Sequence, residues 1–280
     1  MKYRMIVADI DGTLVTGDRQ ITPGVREAVR AVQAQGVRVC LATGRMWLSA
    51  EPYFRRLGAD PPAILYNGGL VFDFTTQTVL RQVHLDYDQA RAVLETLRAI
   101  PEVQPHLYVD NRVYTGQANA ITDRYRRKDG LQVEEVGDLV AFLPRNPMKI
   151  LIIGARPDLE RAAGLIRRLP MPINLVFSEE TYMEIIPIGS SKGVALQFVA
   201  QHLRIPLGAV IAVGDNLNDL EMIQLAGLGV AMGNAPDELK AHADFVTATN
   251  EQEGLRHVIE RFILAGESTQ SAHRGGESNA

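Results

Sequence analysis

Asp9-Ile10-Asp11-Gly12-Thr13 sets two carboxylates two residues apart, directly after the apolar run that ends at Ala8. On an extended segment, residues i and i+2 point to the same side, so the two acids crowd each other. Crowded carboxylates coexist only with a cation or a shared proton, and aspartate is a covalent nucleophile for phosphoryl groups. Gly12 lets the chain turn sharply behind them. The bland alternative is a polar turn capped by an Asx side chain. Four fixed identities at about a twentieth each recur by chance in roughly a few chains per thousand of this length. The position after a buried strand lowers that further, and the chemical reading is favoured.

Three more short motifs fall at strand ends or helix starts, where an open α/β sheet binds its ligands. Ala42-Thr43-Gly44-Arg45 offers a hydroxyl, a glycine amide and a helix start, which together cradle an anion; most Thr-Gly pairs taken singly are only turns. Gly189-Ser190-Ser191-Lys192-Gly193 puts a lysine in a first helical turn, against the macrodipole, so it is either solvated or paired with an anion. Gly214-Asp215-Asn216-Leu217-Asn218-Asp219 spaces two acids at i, i+4, which can share a helical face. Acids at a helix start are often plain caps, but carboxylates and amides this dense also suit a hard cation. Taken together, the motifs supply a Mg²⁺ site (Asp9, Asp11, Asp215), a phosphate cradle (Thr43, Gly44, Asn218, with Arg45 in the same motif) and a cation, Lys192. Oxygen ligands without histidine or cysteine favour Mg²⁺ over Zn²⁺.

The elements that must position these residues follow from the hydrophobic pattern. Apolar runs at 5–9, 37–42 and 63–66 read as buried parallel strands. Thr22-Pro23 opens a helix that ends at Gly36, and a second helix ends near Gly58. A hairpin is expected at 70–74 and 79–83. From 85 to 187 the pattern becomes more alternating, as at 106–109 and 113–114. Helices near 87–100 and 156–169 and a strand at 149–153 complete an inserted module with a one-sided sheet. The first pattern resumes with a helix at 191–203, a strand at 209–214, a helix at 218–225, a strand at 227–231 and a helix at 251–265. The expected architecture is α/β, a doubly wound, mostly parallel, Rossmann-like sheet, with an inserted α+β cap. Its segments are core 1–84, cap 85–187, core 188–265 and a disordered tail at 266–280.

The chain resembles the haloacid dehalogenase-like hydrolases, in particular the Cof-type phosphatases of sugars and small metabolites. The resemblance spans nearly everything up to residue 265. It rests on the four motifs, on Leu14 and on Tyr66-Asn67-Gly68-Gly69 and Glu184-Ile185-Ile186-Pro187. It implies that Asp9 attacks phosphorus and that Asp11 is the acid and base. It also implies that Thr43 and Lys192 hold phosphoryl oxygens, and that Asp215 completes a Mg²⁺ shell supported by Asp219. The cap would set substrate specificity. The expected function is Mg²⁺-dependent hydrolysis of small phosphorylated metabolites through an aspartyl-phosphate. A phosphotransferase or phosphomutase on the same scaffold is the alternative, and a non-catalytic phosphometabolite-binding module is the third reading.

Bulk properties bound the rest. A net charge of −4 argues against a surface built for nucleic acid. The single cysteine, Cys40, lies in an apolar run and reads as a buried strand residue in a reducing compartment. No run suits an export signal or a membrane span, so a cytoplasmic monomer or homodimer is expected. The basic run 124–128 reads as a solvated face more readily than as an anion-steering patch, and His106 as an ordinary surface histidine more readily than as a substrate contact.

Overall fold

The computed structural model describes residues 2–265; the tail expected at 266–280 lies outside the described residues. The chain forms two compact units. The first takes residues up to Thr43, Tyr53–Ala63 and those from Leu196 onward; the second takes Gly44–Pro52 and Ile64–Ala195. In chain order the elements begin β1 (Met5–Ala8), α1 (Pro23–Ala34), β2 (Arg38–Leu41), α2 (Trp47–Leu57), β3 (Ala63–Leu65), β4 (Leu70–Asp73) and β5 (Thr78–Gln82). They continue α3 (Tyr87–Leu97), β6 (Gln104–Val109), β7 (Arg112–Thr115), α4 (Ala120–Asp129), β8 (Val133–Glu135), α5 (Leu139–Phe142), β9 (Lys149–Ile153), α6 (Arg156–Ile166), β10 (Asn174–Glu179) and β11 (Tyr182–Ile186). The chain then forms α7 (Lys192–His202), β12 (Val210–Gly214), α8 (Leu220–Leu225), β13 (Leu228–Ala231), α9 (Asp237–Lys240), β14 (Phe245–Val246) and α10 (Gly254–Ile259).

The first unit is built on a parallel five-stranded sheet of order β14-β13-β12-β1-β2. β1 and β12 are buried at every position, which is why both read as continuous apolar runs. The chain leaves β1 toward β2 on one side and comes back to β12 on the other. Strand order therefore reverses between β1 and β12, and the crevice at their carboxyl ends is the switch point where such sheets bind ligands. α1 forms as its sequence dictates. The Thr22 hydroxyl accepts from Val25 N–H, Pro23 occupies the first turn, and Val25, Ala28, Val29 and Val32 make the buried stripe. Each fully buried valine in that stripe is worth about 1.5 kcal/mol or more. Gly36 follows at φ +83°, the left-handed turn that only glycine adopts without cost.

In the second unit, a six-stranded sheet runs β10-β11-β9-β6-β7-β8, antiparallel except for the β7–β8 pair. Alternation sorts its residues. Leu107, Val109, Ile150, Ile152, Met183 and Ile185 join Leu94 and Leu97 of α3 and Leu159 and Ile166 of α6 in one apolar cluster. The intervening positions carry His106, Tyr108, Lys149, Tyr182 and Glu184.

Several expectations change here. The run at 63–66 is not a third parallel strand: β3 joins β4 and β5 in a separate three-stranded sheet, and positive φ at Tyr66 and Asn67 ends it after three residues. The hairpin of β4 and β5 forms as expected. The sheet of the second unit is one-sided in chemistry but not in exposure, because β9 and β11 are buried throughout. His106 is accordingly a core residue with no exposed surface. The helix expected at 251–265 starts later, at Gly254, because Glu253 at φ 56° separates it from a short turn at Asn250–Gln252; from Gly254 it runs on through α10 into a wider turn at Glu260–Leu264. The basic run lies on α4, where Arg126 pairs with Asp123 (3.2 Å) and Lys128 pairs with Glu179. Among the described residues, no helix is long and apolar enough to cross a membrane.

Candidate active site

Asp9 directly follows β1 and Asp215 directly follows β12, and the two strands pair with Ala8 opposite Val213. The Asp9 N–H donates to the Val213 carbonyl (3.0 Å), which carries the ladder one residue past β1. Strand adjacency thus brings together two acids far apart in sequence. Asp219 joins them: Asp9, Asp215 and Asp219 each offer a carboxylate oxygen, all within 4.8 Å of one another. Asp219 is wholly buried and Asp9 is buried, while Asp215 is half-buried. Asp11 is half-buried in the turn that follows, where it bridges to Val15.

Asp215 and Asp219 do not meet on a helical face, as their spacing suggested. Residues 215 and 216 lie ahead of the first helical turn, Leu217–Asp219, and Asp219 folds back to cap it. One carboxylate oxygen of Asp219 accepts from the N–H groups of Asp215 (2.9 Å) and Asn216 (3.1 Å). The same side chain is therefore both a cap and a member of the acidic cluster. Gly214 permits this approach, since a Cβ there would lie 2.4 Å from the Asp219 side chain.

The turn after Asp9 is equally constrained. The Thr13 hydroxyl donates to Asp215 Oδ1 (2.9 Å). Gly12 sits at φ +76°, and a Cβ on it would lie 2.2 Å from Asp215 Oδ2. Asn234 Nδ2 donates to the Gly12 carbonyl (2.9 Å), while Asn234 Oδ1 accepts from Asn250 N–H (3.1 Å). Sequence reasoning missed Asn234; its only signal is an Asn beside Gly233 just after an apolar run.

The donor set suits a hard cation. At an effective dielectric near 20, two like charges 4.8 Å apart repel by about 3.5 kcal/mol. A cation among three such oxygens removes that repulsion, and oxygen-only ligands fit Mg²⁺.

Thr43, almost wholly buried, lies at the carboxyl end of β2, the other neighbour of β1. Asn218 is half-buried in the turn at Leu217–Asp219. Gly44, Arg45 and Lys192 belong to the second unit. Lys192 is buried and opens α7, where the Ser191 hydroxyl accepts from Val194 N–H (3.0 Å).

Gly44 and Arg45 are gripped from two sides. The Arg45 carbonyl accepts from Tyr66 N–H (3.1 Å). The Gly44 carbonyl accepts from Lys149 Nζ (2.9 Å), and Lys149 also pairs with Glu184 Oε2 (2.9 Å). Glu184 accepts further from Asn67 Nδ2 (3.1 Å) and from the Ser178 hydroxyl (2.8 Å). Asn67 and Glu184 lie in segments already singled out. Lys149 was missed, although a lysine opening the apolar run Lys149-Ile150-Leu151-Ile152-Ile153 was a visible anomaly.

Two further groups feel their burial. Desolvation, aided by Asp60, pushes the Cys40 thiol up to about 12. Burial brings His106 down to about 4; the Gln104 backbone pulls the other way and Arg126 adds to the lowering, and His106 Nε2 lies 3.3 Å from the Thr122 hydroxyl.

The chain matches the profile of a family described as haloacid dehalogenase-like hydrolase over residues 6–259. It is 30% identical over 277 residues to the HMP-PP phosphatase of Serratia proteamaculans, covering 96% of this chain and 98% of that one. It is 28% identical over 273 residues to the pyridoxal phosphate phosphatase YbhA of Escherichia coli, covering 94% of this chain and 100% of that one. Among solved structures it is similar to a haloacid dehalogenase-like hydrolase from Bacteroides thetaiotaomicron, with a TM-score of 0.83, 30% identity, and 94% and 100% of the two chains covered.

Proposed function

The chain belongs to the haloacid dehalogenase-like hydrolase family, and from that membership we propose that it is a Mg²⁺-dependent phosphatase of small phosphorylated metabolites, sugar phosphates or similar monophosphates. The observation that carries this reading is the cluster of Asp9, Asp215 and Asp219 at the β1–β12 switch point, with Asp11 two residues on. The relatives are named for different phosphorylated substrates, which supports the reaction class.

In this reading, Asp9 and Asp215 would hold the cation through their carboxylates and Asp11 through a main-chain oxygen, which leaves the Asp11 carboxyl free to carry a proton, and Asp219 keeps Asp215 in place through its backbone. Bound Mg²⁺ supplies positive charge against the carboxylates and the phosphoryl oxygens. Thr43, Gly44, Arg45 and Asn218 cradle the phosphoryl group, and Lys192 adds a cation to it. A carboxylate oxygen of Asp9 attacks phosphorus, and the bond to the leaving oxygen breaks as Asp11 gives that oxygen its proton. Asp11 then takes a proton from water, which attacks the aspartyl-phosphate, releases phosphate and restores Asp9. Residues 85–187 act as a cap that selects the leaving group and excludes water, on a core formed by 1–84 and 188–265. The enzyme works in the cytoplasm as a monomer or homodimer.

The test is phosphate release from a panel of phosphorylated metabolites, with Mg²⁺ and with chelator, and with no acceptor alcohol added. Turnover should require Mg²⁺, and Asp9→Asn should abolish it for every substrate. Full activity in metal-free buffer, or release only when an acceptor is added, would overturn the proposal.

A further inference from the structure

Lys149 and Glu184 form an ion pair whose side chains are each only 4% exposed. Removing an ammonium and a carboxylate from water costs several kcal/mol per ion, and replacing such a pair with apolar side chains is often neutral for stability. Stability alone therefore gives no reason for the pair. Its geometry does: Lys149 directs a proton at the Gly44 carbonyl (2.9 Å), and Glu184, held by Asn67 and Ser178, keeps the lysine aimed.

Gly44 is the residue at which this control matters. Without a Cβ, its flanking peptide units reorient at little cost. A planar trans peptide points its C=O and the following N–H to opposite sides, so holding the Gly44 carbonyl also aims the Arg45 N–H. Asn67 closes the same segment from a second direction. A Cβ on Gly44 would lie 3.0 Å from its amide nitrogen, and Asn67 itself holds a left-handed conformation at φ 52°. Tyr66 N–H then fixes the Arg45 carbonyl (3.1 Å).

We infer that Lys149 and Glu184 are positioning residues for the phosphoryl cradle, setting the orientation of the Gly44–Arg45 peptide from strands β9 and β11. The inference rests on the reading of Thr43, Gly44 and Arg45 as that cradle. It explains why the polar face of the sheet keeps buried charges, since they tie the strands that carry them to the backbone that grips phosphate. Neither residue touches the reacting atoms.

The probe is inorganic phosphate, read as a competitive inhibitor of p-nitrophenyl phosphate hydrolysis in Mg²⁺, with a melting temperature for each variant. Lys149→Met and Glu184→Gln should each weaken phosphate inhibition about tenfold or more and lower kcat/KM. The double variant Lys149→Met/Glu184→Gln buries no lone charge. It should recover the melting temperature while phosphate inhibition and kcat/KM stay low, a separation that a purely structural pair would not produce. It also keeps the test open if one single variant fails to fold. A double variant with wild-type phosphate inhibition and kcat/KM overturns the inference. So does a series in which lost phosphate affinity simply follows lost melting temperature. Thr43→Val separates the two readings: unchanged phosphate inhibition there sinks the cradle itself, whereas weakened inhibition there beside an unaffected double variant sinks only the role of Lys149 and Glu184.

Discussion

Gly12→Ala tests the geometry of the acidic cluster most sharply, because two separable effects act at one position. At φ +76° an alanine pays for left-handed backbone, about 1–2 kcal/mol. Its Cβ would also lie 2.2 Å from Asp215 Oδ2, whereas ordinary contact begins near 3.4 Å, so that carboxylate must retreat by roughly 1 Å. A displacement of that size away from Asp9 and Asp219 spoils a three-oxygen site and should cost ~10²-fold in activity. Gly36→Ala is the control. Gly36 has φ +83°, but nothing lies within 4 Å of its added Cβ, so it carries the backbone cost without the clash. Both variants should melt a few degrees lower, at about 2–4 °C per kcal/mol for a chain of this size. Only Gly12→Ala should lose p-nitrophenyl phosphate turnover and need more Mg²⁺ for half-maximal rate. If Gly12→Ala stays within threefold of wild type at the same Mg²⁺ requirement, Asp215 does not hold the metal.

Three further outcomes follow from single groups. Asp11→Asn, mixed rapidly with p-nitrophenyl phosphate, should release one equivalent of nitrophenol and then stall, because a good leaving group needs no acid while the phospho-enzyme still needs a base; steady turnover near the wild-type rate would remove Asp11 from that role. His106 has a folded value near 4, below its ordinary 6.5, so its contribution to stability is intact above pH 6.5 and is lost as the pH falls toward 4, by at most ~3 kcal/mol. His106→Gln should therefore flatten the dependence of stability on pH across that window, and an unchanged slope would count against it. Cys40, buried and with its thiol raised to about 12, should ignore thiol reagents in the native protein and react only after denaturation; native reactivity would contradict its placement.

Much of the fold was legible because its cues are local. Thr22, Pro23 and Gly36 delimit α1 through capping and φ preference, which depend on residues within a turn of each other. The apolar runs of β1, β2 and β12 declared a parallel sheet covered on both faces. Alternation failed for the sheet of the second unit. It separates apolar from polar positions but does not reveal whether the polar side is itself covered, and so His106 was expected at the surface.

Asp9, Asp11, Thr43, Gly44, Lys192 and Asp215 were all singled out by sequence alone, since each combines an unusual residue type with a strand end or a helix start. The meeting of the acids of β1 and β12 was not legible there. Asp215 meets Thr13 across 202 residues only because β12 pairs with β1, and sequence spacing carries no record of strand order. Asp219 enters the cluster through a capping turn instead of a helical face. Lys149 finds Glu184 because antiparallel register sets Leu151 opposite Glu184, which leaves Lys149 on the diagonal of the same face, and from there Lys149 alone reaches the Gly44 carbonyl. Side-chain chemistry is written residue by residue, whereas its assembly depends on long-range pairing, which only the folded chain decides.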